Sequence, residues 1–162
     1  MDVVIGIDPG MKGAAVVLGS SGCLIAAHDL PVIKTKVGRT ERPDYDIVAL
    51  RELLRMYVPD SKDYMVGLEQ LRVRLLPGKK AAFSMGYSRG VLRTMLVMDA
   101  HPMLEIQPNK WMKASGLVGA TKQQITMAAR ERWPELLNRS RIPKAGSGRA
   151  DAAWIALYVL NM

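Results

Sequence analysis

A chain of 162 residues, 49% of them apolar, is long enough to bury one core, and its composition excludes both a disordered tail and a disulfide scaffold. The single cysteine, Cys23, rules out an internal disulfide and a cysteine zinc cluster, and His28 and His101 are too few and too far apart to build a histidine metal site. The formal net charge of +8 points to a polyanionic partner, because Lys and Arg displace counterions from phosphates, although a basic surface can also serve solubility alone.

The expected elements run in chain order as follows. Val3 to Ile7 is a short apolar run closed by Pro9-Gly10, as a buried strand would be. Ala14 to Leu18 and Cys23 to Leu30 read as two further strands around the turn residues Ser20-Ser21-Gly22. Lys34 to Pro43 is basic and turn-rich and is expected to be an exposed loop. Asp44 can cap a helix over about Ile47 to Tyr57, whose Ile47, Leu50, Leu53, Leu54 and Tyr57 fall on one stripe. Tyr64 to Leu68 is a strand ending at Glu69, Lys79 to Met98 a long helix, and Met103 to Ile106 a short strand. Thr121 and Gln124 form a capping-box pattern opening a helix that stops near Trp133-Pro134. A final helix runs from about Arg149 to Leu160. Three hairpin-linked strands followed by alternating strand and helix predict one α/β domain over residues 1–162, a mixed sheet with helices on its faces. No apolar stretch is long enough to span a bilayer, and Asp8 stands where a signal peptide would be apolar, so a cytoplasmic chain without membrane contact is expected.

Three acids stand out by position. Asp8 closes the first strand, Glu69 follows another, and Asp151 opens the last helix. A carboxylate at the edge of a core strand is costly to desolvate without a partner, and a hard divalent cation is one such partner. Two such ions can activate water and stabilise the leaving oxygen in phosphodiester hydrolysis. Each acid also has a simpler reading: a turn acceptor for Asp8, a pairing with Arg72 or Arg74 for Glu69, and a helix-dipole contact for Asp151. Spacing alone does not bring the three together.

The local sequence around these acids resembles the RuvC family of Holliday junction resolvases. The opening Ile5-Gly6-Ile7-Asp8-Pro9-Gly10 is followed by a Gly-Ala-Ala-Val-Val strand. Gly67-Leu68-Glu69-Gln70 is similar to the family's second acidic motif, and Met85-Gly86-Tyr87-Ser88-Arg89-Gly90 to the helix behind it. Gln107-Pro108-Asn109-Lys110-Trp111 and Gly119-Ala120-Thr121-Lys122 are similar to its two lysine segments. Gly148-Arg149-Ala150-Asp151-Ala152-Ala153-Trp154-Ile155-Ala156 is similar to its terminal helix. The pattern is nearer to the phage-type and chloroplast branches, which adds a phage-encoded chain acting in a host cytoplasm to the expected locations.

That resemblance implies a ribonuclease H-like fold with a five-stranded mixed sheet flanked by helices. It also implies a homodimer that cuts branched DNA, the four-way junction, with Mg²⁺ or Mn²⁺, two ions per site. Asp8, Glu69 and Asp151 would be the metal ligands, and Lys122 a catalytic residue beside them. Lys110 and Lys122 would contact phosphates, with Arg72, Arg74, Lys79 and Lys80 as further DNA-binding cations. Two departures stand out. The family places an Asp or His three or four positions before the last acid, where this chain has Gly148 and Ser147; Ser147 is a candidate ligand through its hydroxyl. The aromatic expected behind the second acid is absent, leaving Phe83 and Tyr87 as the nearest rings for stacking on a base, with core packing the alternative for Phe83. Gly86 and Gly90 let another backbone approach, either this chain's own sheet or a partner copy. Alternatives to a resolvase are a junction-binding protein with weak or no cleavage, and another ribonuclease H-like nuclease acting on RNA or branched DNA. Walker, dinucleotide-binding and Gly-x-Ser-x-Gly motifs are missing.

Overall fold

A computed structural model describes residues 1–58, 63–70, 78–137 and 147–162. Five strands form the central sheet in the order β3-β2-β1-β6-β7: β1 (Val3–Asp8), β2 (Ala14–Gly19), β3 (Leu24–Asp29), β6 (Tyr64–Glu69) and β7 (Met103–Ile106). β1 to β3 are antiparallel neighbours, whereas β6 lies parallel to β1 and β7 parallel to β6, so the sheet is mixed. The fold is the expected α/β class.

Alternation along β1 divides the core. Ile5 and Ile7 face one side, where they meet Leu50, Leu53 and Leu54 of α1 (Ile47–Tyr57) and Leu92, Met95 and Leu96 of α2 (Lys79–Met98). Val4, Val16 and Leu18 face the other, against α3 (Pro108–Ala114), α4 (Lys122–Arg132) and α5 (Gly148–Leu160). Gly6 and Gly67 on this second face explain how closely α5 can approach. A Cβ on Gly6 would stand 2.0 Å from the Ala152 carbonyl oxygen, and one on Gly67 would meet Val159 at 2.7 Å. Small residues on the helix, Ala152, Ala153 and Ala156, complete that contact, and all three are fully buried. α5 therefore lies almost on the backbone of the two central strands.

Several local expectations change. Lys34 to Pro43 is not a loop: β4 (Val32–Val37) and β5 (Thr40–Tyr45) pair as a separate antiparallel hairpin closed at Gly38, which adopts φ +63°. Its polar alternation hid it, because neither face carries a regular apolar row. The cap of α1 is Asp46, not Asp44; its carboxylate accepts from the Ala49 amide at 3.0 Å. Helix α3 was not anticipated, although Pro108 at its first turn is a recognised start signal. The Thr121–Gln124 capping box is formed as read. Arg72 and Arg74 lie outside the described residues.

Candidate active site

Asp8 and Glu69 end two adjacent parallel strands. The register pairs Ile7 with Leu68, so the next residues, Asp8 and Glu69, emerge side by side. Both follow the alternation of Gly6 and Gly67 and so point to the α5 face. Asp151 reaches the same corner from the first turn of α5, which is held there by the Gly6 contact. The helix start closes directly over Asp8: a Cβ on Gly148 would stand 2.9 Å from Asp8 Oδ2 and 2.8 Å from the Lys12 carbonyl oxygen. The N-terminal end of the helix dipole favours carboxylates at this point.

Lys122, the first residue of α4, extends its ammonium into the cluster. It forms an ion pair with Asp151 Oδ2 and bears electrostatically on both Asp8 and Glu69. Burial pushes the Asp8 carboxyl up to about 7, the neighbouring Glu69 adds to the rise, and Lys122 opposes it. Glu69 is also raised by burial, against the pull of a hydrogen bond and of Lys122. That hydrogen bond comes from Trp111, whose indole N–H donates to Glu69 Oε1 at 2.9 Å. Trp111 is itself buried, so α3 acts as a clamp that sets the orientation of the carboxylate. Its role was legible only as a general rule, that a buried indole finds an acceptor.

The donor set suits a hard cation. Asp151 is 3% exposed, yet its Oδ1 has no hydrogen-bond partner, an uncommon state for a buried carboxylate oxygen. Lys122 is the ammonium that serves all three carboxylates, through its ion pair with Asp151 and its charge beside Asp8 and Glu69. Among the described residues, however, no three Asp, Glu, His or Cys side chains stand close enough to form a ready-made cation cage. The lysine ion pair supplies the compensation instead.

The remaining residues distribute as follows. Ser147 caps α5, its hydroxyl accepting from the Arg149 amide at 3.2 Å while its own amide donates to Thr126 Oγ1 at 3.1 Å. Lys110 is exposed on α3, one residue before Trp111. Lys79 and Lys80 are exposed at the start of α2, and Phe83 and Tyr87 follow one and two turns later. Phe83 is 76% exposed and so does not pack in the core. Gly86 and Gly90 are also exposed, with open space where a Cβ would sit, so they do not pack on this chain's sheet. Arg89, part of the same motif, is an internal brace: with Arg93 it holds Glu105 on β7.

No protein-family model matches the sequence, and no curated protein does. Among solved structures, RuvC of Thermus thermophilus in complex with a Holliday junction substrate is similar with a TM-score of 0.62 and 21% identity, covering 98% of this chain and 92% of that one. A second Thermus thermophilus RuvC structure is similar with a TM-score of 0.55 and 19% identity, over 96% of this chain and 92% of that one. The chain therefore has the ribonuclease H-like fold of RuvC over nearly its whole length.

Proposed function

We propose that this chain is a metal-dependent endonuclease that resolves four-way DNA junctions. The observation that carries the reading is that Asp8 and Glu69 end adjacent parallel strands and that Lys122, which bears on both, also pairs with Asp151 at the start of α5. The likeness to RuvC bound to its junction supports the substrate class. Asp8, Glu69 and Asp151 would hold Mg²⁺ or Mn²⁺, two ions per site; when bound, they supply an activated water and stabilise the leaving oxygen. Trp111 keeps Glu69 oriented. Lys122, paired with Asp151, would be free to contact a phosphate oxygen once a cation were held by that carboxylate. Lys110, Lys79 and Lys80 extend the cationic surface along the backbone, in keeping with the net charge of +8.

Ser147 is engaged as a helix cap, and its hydroxyl offers a hard cation only a dipole where a carboxylate would offer a charge. This favours a site whose second ion binds mainly once the scissile phosphate arrives, and it keeps a junction-binding protein with weak cleavage as the second reading. We also infer a homodimer, since two symmetric cuts need two related sites. An apolar groove of about 770 Å³ between α1 and α2, lined by Ile47, Gly90, Val91, Met95 and Met98, is the surface it would use.

The test is cleavage of an end-labelled immobile junction beside a matched linear duplex, in Mg²⁺, Mn²⁺ and EDTA. Cutting of the junction alone, dependent on metal and abolished in Asp8→Asn with junction affinity retained, is expected. Tight junction binding without cleavage in either metal would establish the second reading, and equal cutting of the linear duplex would overturn both.

A further inference from the structure

Lys122 and Asp151 meet through their side chains, but they belong to different helices, α4 and α5. A lysine carries its charge on a flexible four-carbon stem, so the ion pair alone leaves the two helix starts free to shift against each other. A second connection joins them from behind. Thr126, one turn along α4, is fully buried, and its hydroxyl donates to the Lys122 carbonyl oxygen at 2.7 Å. A bond back to the preceding turn is ordinary for a helical threonine and by itself says little. The same oxygen also accepts the Ser147 amide at 3.1 Å, across 21 positions of chain. Ser147 is the N-cap of α5, and its own hydroxyl accepts from the Arg149 amide.

These bonds run in one direction, from the Ser147 N–H to the Thr126 oxygen and from the Thr126 proton to the Lys122 carbonyl. A hydroxyl that donates becomes a better acceptor, so in a dry site each bond strengthens the other. Four residues after Ser147 stands Asp151, whose carboxylate meets the Lys122 ammonium. The circuit is therefore closed: the backbone of Lys122 and the tip of its side chain are both tied to the start of α5. The Trp154 indole adds a neighbouring link by donating to the Ile125 carbonyl oxygen at 3.3 Å. Burying a hydroxyl costs free energy that a methyl of similar shape avoids, so packing alone would be served as well by valine. What the hydroxyl contributes is the connection.

We propose that Thr126 is a positioning residue, whose hydroxyl fixes the start of α4 on the start of α5 and so holds Lys122 within reach of Asp151. Its consequence for catalysis rests on the nuclease reading above. Once Lys122 is released from Asp151, its anchored backbone keeps the ammonium beside the phosphate to be cut.

Two measurements test this. The first reads position without chemistry: the full chain in EDTA is treated with limiting acetic anhydride, and acetylation of Lys122 is followed by peptide mass spectrometry against Lys110 in the same sample. Lys122 should react severalfold faster in Thr126→Val than in the parent, with Lys110 unchanged, and Thr126→Ser should match the parent. The second is single-turnover cleavage of the junction by excess protein in Mn²⁺. Thr126→Val should cut roughly ten- to a hundredfold more slowly, with junction affinity in EDTA unchanged. Thr126→Ser should keep the parent's rate although it loses a buried methyl group; a role in packing alone would make it the worse of the two. If the valine variant does not fold, Thr126→Ala set against Thr126→Ser isolates the hydroxyl, since both lack the methyl. Equal labelling of Lys122 in the parent and Thr126→Val would overturn the proposal, as would a Thr126→Ser variant as slow as Thr126→Val. The two readings fail separately. Junction cleavage with Lys122 labelling indifferent to Thr126→Val removes the positioning role and leaves the nuclease, whereas the labelling contrast without cleavage in any metal does the reverse.

Discussion

Asp8 holds its proton far longer in the folded chain than a free carboxyl would, because burial and the neighbouring Glu69 push it up to about 7. Below about pH 4 both folded and unfolded chains carry that proton, and the stabilisation relative to the ionised state is fully present. As pH rises toward 7 the unfolded chain has already released it, so the metal-free protein loses stability, on the order of 2–4 kcal/mol by pH 8. Asp8→Asn removes the ionisation. Its melting temperature in EDTA should exceed the parent's at pH 8, with the gap closing toward pH 5; a constant gap would show that Asp8 is not the titrating group. Trp111 acts on the other strand acid. Trp111→Phe leaves the buried Glu69 Oε1 without its donor, at a cost of about 1–3 kcal/mol. It also removes a contact that lowers the Glu69 proton affinity. The concentration of Mn²⁺ giving half-maximal thermal stabilisation should therefore rise at pH 6.5 and return toward the parent's at pH 8.5, where protons compete less. A merely structural tryptophan would give the same shift at both pH values.

Helix α5 and strand β1 place the acids by contact between backbones. A methyl group on Gly6 would overlap the Ala152 carbonyl and the Ala156 amide, 2.0 and 2.6 Å away, and neither backbone atom can yield as a side-chain end could. Gly6→Ala should therefore cost about 3 kcal/mol or more in urea unfolding, beyond the usual overpacking penalty, and separate Asp8 from Asp151 in whatever folded fraction remains. Gly86→Ala provides the contrast. Gly86 is exposed in the middle of α2 with open space around it, so the change should stabilise by about 0.5–1 kcal/mol through helix propensity. The hairpin β4–β5 shows a different logic. It contributes no strand to the main sheet; Tyr45 at its base reaches the core, and Asp44 ties its wall to Tyr87.

At the scale of the whole molecule, the two helical layers differ in what they leave uncovered. The α3–α4–α5 layer closes over the acids, whereas the α1–α2 layer exposes an apolar groove with Met98 79% exposed at its edge and Val97 beside it. If two copies meet there, Met98→Glu should bury a charge at the interface and shift sedimentation from dimer to monomer. Junction cleavage should then lose its paired, symmetric character while single nicking persists. An unchanged dimer in Met98→Glu would place the interface elsewhere.

The sequence by itself determined most elements, because they depend on neighbours within a turn or a strand. Apolar runs marked β1, β2, β6 and β7, the stripe of Leu50, Leu53 and Leu54 marked α1, and the Thr121–Gln124 box marked the start of α4. The position of each acid at an element end was equally local. What only the tertiary structure decided were relations between residues distant in the chain. Parallel pairing of β1 with β6 sets Asp8 beside Glu69, and the space left by Gly6 and Gly67 lets α5 bring Asp151 to them. No periodicity encodes the indole of Trp111 meeting Glu69 across 42 positions, the lysine at Asp151, or the stacking of Tyr45 on Tyr87 that joins hairpin and helix. Each forms only because burying two faces of one sheet brings those side chains to the same corner, and there electrostatics and hydrogen bonding select their partners.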